Sequence, residues 1–260
     1  MRRDNLFWGG ALLLLGILFL LEAQRLIANV FTFFWPLVLI LVGGWMILSV
    51  YWRPAGSAEE TFSIPLGGAQ SARFRFSHGA GQIEIRGGAP AGQALVGSSA
   101  TGMSHRSHLN GDRLEVGVEA GPSFLPFLGP SEGVWRFRLT QEIPSTVSVE
   151  TGASSVTMDL RDVPATRVEL KTGASSASVV MPARGASLLD VEAGVASVDI
   201  RIPEAVAVRV RVKEGVSSVN VDSNRFPRLD SGMYQSSNYE TAADRAEINI
   251  ESGLGSVTVK

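Results

Sequence analysis

No cysteine occurs anywhere in the chain. That absence removes structural disulfides, thiolate zinc sites, iron–sulfur clusters and cysteine nucleophiles together. Charge of either sign is not in excess. The formal net charge is −2, so the footprint of a nucleic-acid-binding surface is missing. No asparagine begins an Asn-x-Ser/Thr glycan acceptor. Aromatics thin out quickly: four of the five Trp (Trp8, Trp35, Trp45, Trp52) fall in the first 52 residues. Glycine is plentiful, at 28 residues. The chain is two materials joined end to end.

The first material lacks ionisable groups where a membrane would exclude them. Leu6 to Leu21, "LFWGGALLLLGILFLL", carries no charge. As a helix it spans about 24 Å, slightly short of a hydrocarbon core of about 30 Å. Leu26 to Trp52 is also uncharged and long enough to cross. Pro36 sits near the start of its most apolar part, where a missing N–H is tolerated. Trp8, Trp35, Tyr51 and Trp52 lie near the ends, as aromatic belts do. The pattern predicts a two-helix transmembrane hairpin over 1–53, followed by a polar linker over 54–60.

Arg2, Arg3 and Arg53 flank the outer ends of this hairpin, against Arg25 in its connection. The positive-inside rule then puts both termini in the cytoplasm, with two spans in a bacterial cytoplasmic membrane. "MRRDN" with "LEAQR" also reads as a weak signal peptide. After cleavage the second stretch would stop transfer and leave the remainder cytoplasmic. With no charge at membrane depth, the pair reads as an anchor in the lipid bilayer rather than a pore.

The second material repeats itself. "ETGASSVTMDL" begins at Glu150, "KTGASSASVVM" at Lys171, "EAGVASVDIRI" at Glu192, and "EGVSSVNVDS" at Glu214. The glycines Gly152, Gly173, Gly194 and Gly215 recur every 21 residues. Val149, Leu170, Val191 and Val212 precede them by three; Val156, Ala177, Val198 and Val219 follow by four. Apolar and polar residues alternate on both sides, which is strand periodicity. A fixed period of this kind predicts an all-β, single-stranded β-solenoid with coils of about 21 residues.

Each glycine is expected between two short strands, at a corner where φ > 0 is needed. Ser155, Ser176, Ser197 and Ser218 are expected to form a ladder beside it. Gly79 and Gly253 mark two further coils out of phase. The solenoid is therefore expected over 61–260, with regular coils over 143–223, an inserted loop over 224–245 and a last coil over 246–260. "LEVGV" and "VWRFRLT", from Leu114 and Val134, lie where the register is lost and read as antiparallel or irregular strands.

The apolar start "FWGGALLLLGILFLL…FWPLVLILVGGWMIL" resembles the transmembrane region of LiaF-like bacterial membrane proteins. "VETGASSVTMDL" and the ending "SSNYETAADRAEINIESGLGSVTVK" resemble the β-domain of the same group, the cell-wall-active antibiotic response proteins. They also resemble related adhesin-type β-solenoid domains. The resemblance implies a membrane-anchored modulator of an envelope-stress two-component system, with a sensor kinase as protein partner. This chain has two apparent spans where better-known members have four.

No catalytic, cofactor or metal residues are assigned. Asp159 and Asp199 fall on different coils, with Val180 at the matching place between them, so no glycosidase pair is expected. His105 and His108 lack an accompanying ligand set. A non-enzymatic regulatory or scaffolding protein is expected. A surface adhesin or envelope structural module is the alternative, and self-association through the solenoid ends remains open. "GPSFLPFLGP" asks for a cover. Its Phe124, Leu125, Phe127 and Leu128 either cap an open end of the solenoid or touch the bilayer or a protein partner.

Overall fold

The computed structural model describes residues 60–99, 103–120, 134–213 and 218–260. The anchor expected over 1–53, most of the linker, the candidate contact residues Phe124, Leu125, Phe127 and Leu128, and Gly215 lie outside them. No helix among the described residues is long and apolar enough to cross a membrane.

The described residues are all β. In chain order the strands are β1 (Glu60–Pro65), β2 (Ser71–Gly87), β3 (Gln93–Ser99), β4 (Met103–Asn110), β5 (Arg113–Ala120), β6 (Val134–Leu139) and β7 (Ser145–Asp159). They continue with β8 (Ala165–Val180), β9 (Ala186–Arg201), β10 (Ala207–Val212), β11 (Ser218–Val221), β12 (Arg228–Asp230), β13 (Met233–Gln235) and β14 (Arg245–Val259). All belong to one sheet that coils on itself.

A central coil is one long strand, not two short ones. In β7, Val147, Val149 and Thr151 point inward; Gly152 to Ser155 arch outward; Val156 and Met158 point inward again. The strand folds over its own side chains and forms two arms with the core between them. The turn after it closes the third side with Leu160 and Val163, both buried. Parallel pairing then sets like on like: Val149 against Leu170 and Met158 against Val179, Leu170 against Val191 and Val179 against Ile200. Each fully buried Val or Leu contributes about 1.5–3 kcal/mol, and no single coil buries these groups alone.

The order of layers departs from the order of the chain. The stack reads β5–β6, β2, β7, β8, β9, β14, β10–β11. The expectation that the Gly215 coil rests on the Gly194 coil is therefore corrected. The coil over 246–260 slips between them, pairing with β9 on one side and with β10 and β11 on the other. The inserted loop is also partly structured: β12 and β13 form an antiparallel pair, and β13 continues onto β10. Tyr234 accordingly stands opposite Val210.

The region of lost register is corrected too. β5 and β6 run parallel to the two halves of β2 and make a coil outside it. Only their outer edges pair antiparallel, with β4 and β3. The sequence looked irregular because the two arms of this coil are separate strands, β5 ending at Ala120 and β6 beginning at Val134. Its interior differs as well: Phe76 and Phe137 meet at 4.6 Å, and Trp135 stands edge-on to Phe137 at 6.0 Å.

Candidate interaction surface

The arch of each coil is where the fold meets solvent, and glycine shapes it. None of the described corner glycines (Gly79, Gly152, Gly173, Gly194, Gly253) has a positive φ, so the expected left-handed corner is corrected. Their requirement is close approach between layers. A Cβ on Gly152 would stand 2.6 Å from the Gly79 carbonyl oxygen, and one on Gly173 would stand 2.9 Å from that of Gly152. Gly194 and Gly253 repeat this at 2.9 and 2.8 Å. Gly79 has nothing within 4 Å of its Cβ position among the described residues. Glycine is thus a spacer that lets one arch sit flush on the next.

Flush stacking turns single residues into lines. The residue after each glycine forms a ridge, Ala80, Ala153, Ala174, Val195 and Leu254, adjacent in register. All five are exposed; Val195 is 57% and Leu254 52% accessible. The ridge grows more apolar toward β14, an unusual use of exposed side chains.

Two different flanks border the ridge. On the arm before the arch, an open groove is lined by Glu150, Lys171, Glu192, Lys213 and Glu251. Lys171 Nζ meets Glu192 at 2.9 Å and Lys213 Nζ meets Glu251 at 2.6 Å. Hydrogen bonding to those carboxylates raises both lysine pKa values, and Lys213 lowers that of Glu251. Further from the arch, Arg167 bridges Glu169 and Asp190 at 2.8 and 2.7 Å, and Asn249 donates to Asp190 at 2.8 Å.

The arm after the arch carries hydroxyls. Ser155, Ser176, Ser197, Ser256 and Ser218 form a ladder. Ser218 is reached through Ser256, not directly from Ser197 as the repeat had suggested. Ser197 Oγ and Ser256 Oγ lie 3.3 Å apart. The acids on this face are occupied by cations: Asp159 meets Arg161 at 3.5 Å, and Asp199 meets Lys260 at 2.6 Å. Burial pushes the Asp199 pKa up, but the Lys260 hydrogen bond and the Lys260 and Arg201 charges outweigh it, so the net shift is downward.

His105 stacks on Phe62 at 4.2 Å. Among the described residues no three His, Asp or Glu gather as a metal-ligating group. His78 escaped the sequence reading. It is buried at an inward position, its ring 4.2 Å from Trp135, with neither ring nitrogen hydrogen-bonded among the described residues. Burial lowers its pKa. The alternation of "FRFSH" was the available signal, since it points His78 the same way as Phe74 and Phe76.

Residues 53–201 match the family described as the N-terminal domain of toast_rack, DUF2154. The chain belongs to that family. The toast_rack match ends at Arg201, the last residue of β9, so β10 to β14 lie beyond it. Among solved structures, a "putative cell adhesion protein" from Clostridium sporogenes aligns with a TM-score of 0.69 at 20% identity. The alignment covers 78% of this chain and 98% of that one, and it shows a shared fold. A "putative adhesin" from Bacteroides fragilis aligns at 7% identity over 79% of this chain and 98% of its own, with a TM-score of 0.20, too low to argue from. No curated protein matches.

Proposed function

We propose that this toast_rack protein is a non-enzymatic module of the bacterial envelope that presents the arch ridge to a protein partner. The observation that carries the reading is the registered line from Ala80 to Leu254, with a ladder of acids and lysines on one side and a hydroxyl ladder on the other. A rigid apolar line between two polar flanks suits a partner that lays an apolar edge along it, with Glu150, Lys171 and Glu192 setting register. The apolar hairpin expected over 1–53 would hold the module at the membrane. The LiaF-like resemblance makes a sensor kinase of an envelope-stress system the partner of choice.

The test has two parts. A phosphatase or fluorescent-protein fusion at Lys260 reports which side of the membrane carries the solenoid. Val195→Lys with Leu254→Lys, both at exposed positions, should then reduce crosslinking to the kinase and leave the melting temperature unchanged. A cytoplasmic fusion with lost crosslinking supports the modulator. An external fusion turns the reading to adhesion, which the fold shared with the Clostridium sporogenes protein favours. Unchanged crosslinking in the double variant removes the ridge from the proposal.

A further inference from the structure

The β14 layer occupies a place that its two neighbours could close without it. Four turns of five residues join successive strands, over 140–144, 160–164, 181–185 and 202–206. The turn over 202–206 is as long as those over 160–164 and 181–185, which climb a single layer, yet it climbs two because β14 intervenes. Suppose β10 and β11 settled on β9 at the same 21-residue offset that pairs Lys171 with Glu192. Glu192 would then face Lys213, and Asp190 would face Arg211. Apolar residues would again meet apolar ones along both arms.

With β14 in place, the charges fit less simply. Glu251 lies in register beside Glu192, and like charges in adjacent strands repel. Lys213 compensates from the far side. Arg211 reaches past Asn249 to Glu247. Departure of β14 would therefore leave a slot able to zip shut with complementary charges, rather than two raw edges.

The attachment of β14 is also short. The preceding segment is held on β10: Ser236 Oγ accepts the Val208 N–H at 2.9 Å, and the Arg209 guanidinium lies 4.3 Å from the Tyr239 ring centre. Glu240 is tied to Arg209 as well, and Asp244 accepts the Gly185 and Ala207 N–H groups, so only Thr241 to Ala243 remain as a hinge before Arg245. Short hinges favour exchange of the element they carry.

We infer that β14 is an exchangeable layer, and that the slot between β9 and β10–β11 accepts β14 from a second copy of this chain. Reciprocal exchange closes as a two-fold dimer and reproduces every ladder contact of the single chain. The inference rests on layer order and charge register, and stands apart from the partner reading above.

The absence of native cysteine makes the test direct. Ser197→Cys and Ser256→Cys single variants of the full-length chain, one isotopically labelled, are mixed in detergent, warmed to allow exchange, and oxidised. The two side chains are exposed, adjacent in register and on neighbouring strands, a geometry a disulfide tolerates. The expected result is a labelled-to-unlabelled 197–256 link severalfold above that from Ser155→Cys mixed with Ser256→Cys, whose sites lie three layers apart. The double variant Ser197→Cys/Ser256→Cys should close its bond within one copy and, once closed, stop exchange. Mixed singles no higher than the Ser155 background, with the double variant closing normally, would overturn the inference. Failure of the double variant to close would overturn it too, because β14 would then not lie beside β9.

Discussion

At one end of the stack the chain lays down β2, places β5 and β6 outside it, and returns with β7 on its other face. At the opposite end it completes β9, leaves a gap, places β10 and β11 beyond it, and returns with β14 to fill the gap. Both ends set one layer between two strands joined by a five-residue turn. They differ in what finishes them. At the first end both arms continue into antiparallel strands, β4 on one and β3 with β1 on the other, over an aromatic interior. At the second, β13 and β12 continue the β10 arm, and among the described residues no strand continues β11. The comparison teaches that the repeat specifies how a layer stacks and not which layer it stacks on. The order is decided at the ends, by bulk and by leftover edges.

The largest effect should come from the middle, where both ends depend on an unbroken ladder. Val198→Asp buries an unpaired charge between the arms and should cost about 4 kcal/mol or more. Loss of the β signal in circular dichroism checks it, and a folded variant would mean the register is wrong. Truncating the first end's aromatic filling comes next. Phe137→Ala should cost about 3–5 kcal/mol, while Val221→Ala at the other end should cost about 1–2 kcal/mol, both measured by chemical denaturation. Equal losses would remove the contrast between the ends.

The glycine spacer gives a sharper comparison within one feature. Gly152→Ala sets a methyl against the Gly79 carbonyl and should cost about 1–3 kcal/mol. Gly79→Ala meets no described atom within 4 Å and should change stability by about 0.5 kcal/mol or less. The difference in melting temperature between the two variants is the readout.

The smallest effect is one of pH, and it belongs to the aromatic end alone. Burial lowers the His78 pKa from its ordinary 6.5, so the unfolded chain takes up the proton first as pH falls. The stability this contributes is fully present above pH 6.5 and lost as pH drops below it toward the lower folded-state value. Melting temperatures between pH 7.5 and 5.5 should therefore decline for the native chain and decline less for His78→Phe. Parallel declines would place the cause elsewhere.

Much of the central solenoid was legible in the sequence, because a coil reports itself through local alternation. Val149, Val156 and Met158 could be placed inward from spacing alone. Layer order was not legible. The offset from Glu192 to Lys213 equals that from Lys171 to Glu192, so nothing local distinguishes a one-layer climb from a two-layer climb. The glycines were found for the wrong reason: a residue kept small by a neighbouring layer's carbonyl looks the same in sequence as one kept flexible by its own φ. The ridge was missed because Ala80, Ala153 and Ala174 are unremarkable singly, and only parallel register lines them up with Val195 and Leu254.

The position of β14 has a consequence for how this molecule comes to exist. β9, β10 and β11 leave a ribosome ahead of β14, so the emerging chain first meets a partnerless gap or its zipped form. Final order therefore waits for β14, which enters between strands that precede it in the chain. A chain stalled or clipped within Glu240–Asp244 would present a shortened stack with sound charge pairing, folded enough to escape notice and lacking one layer of the ridge.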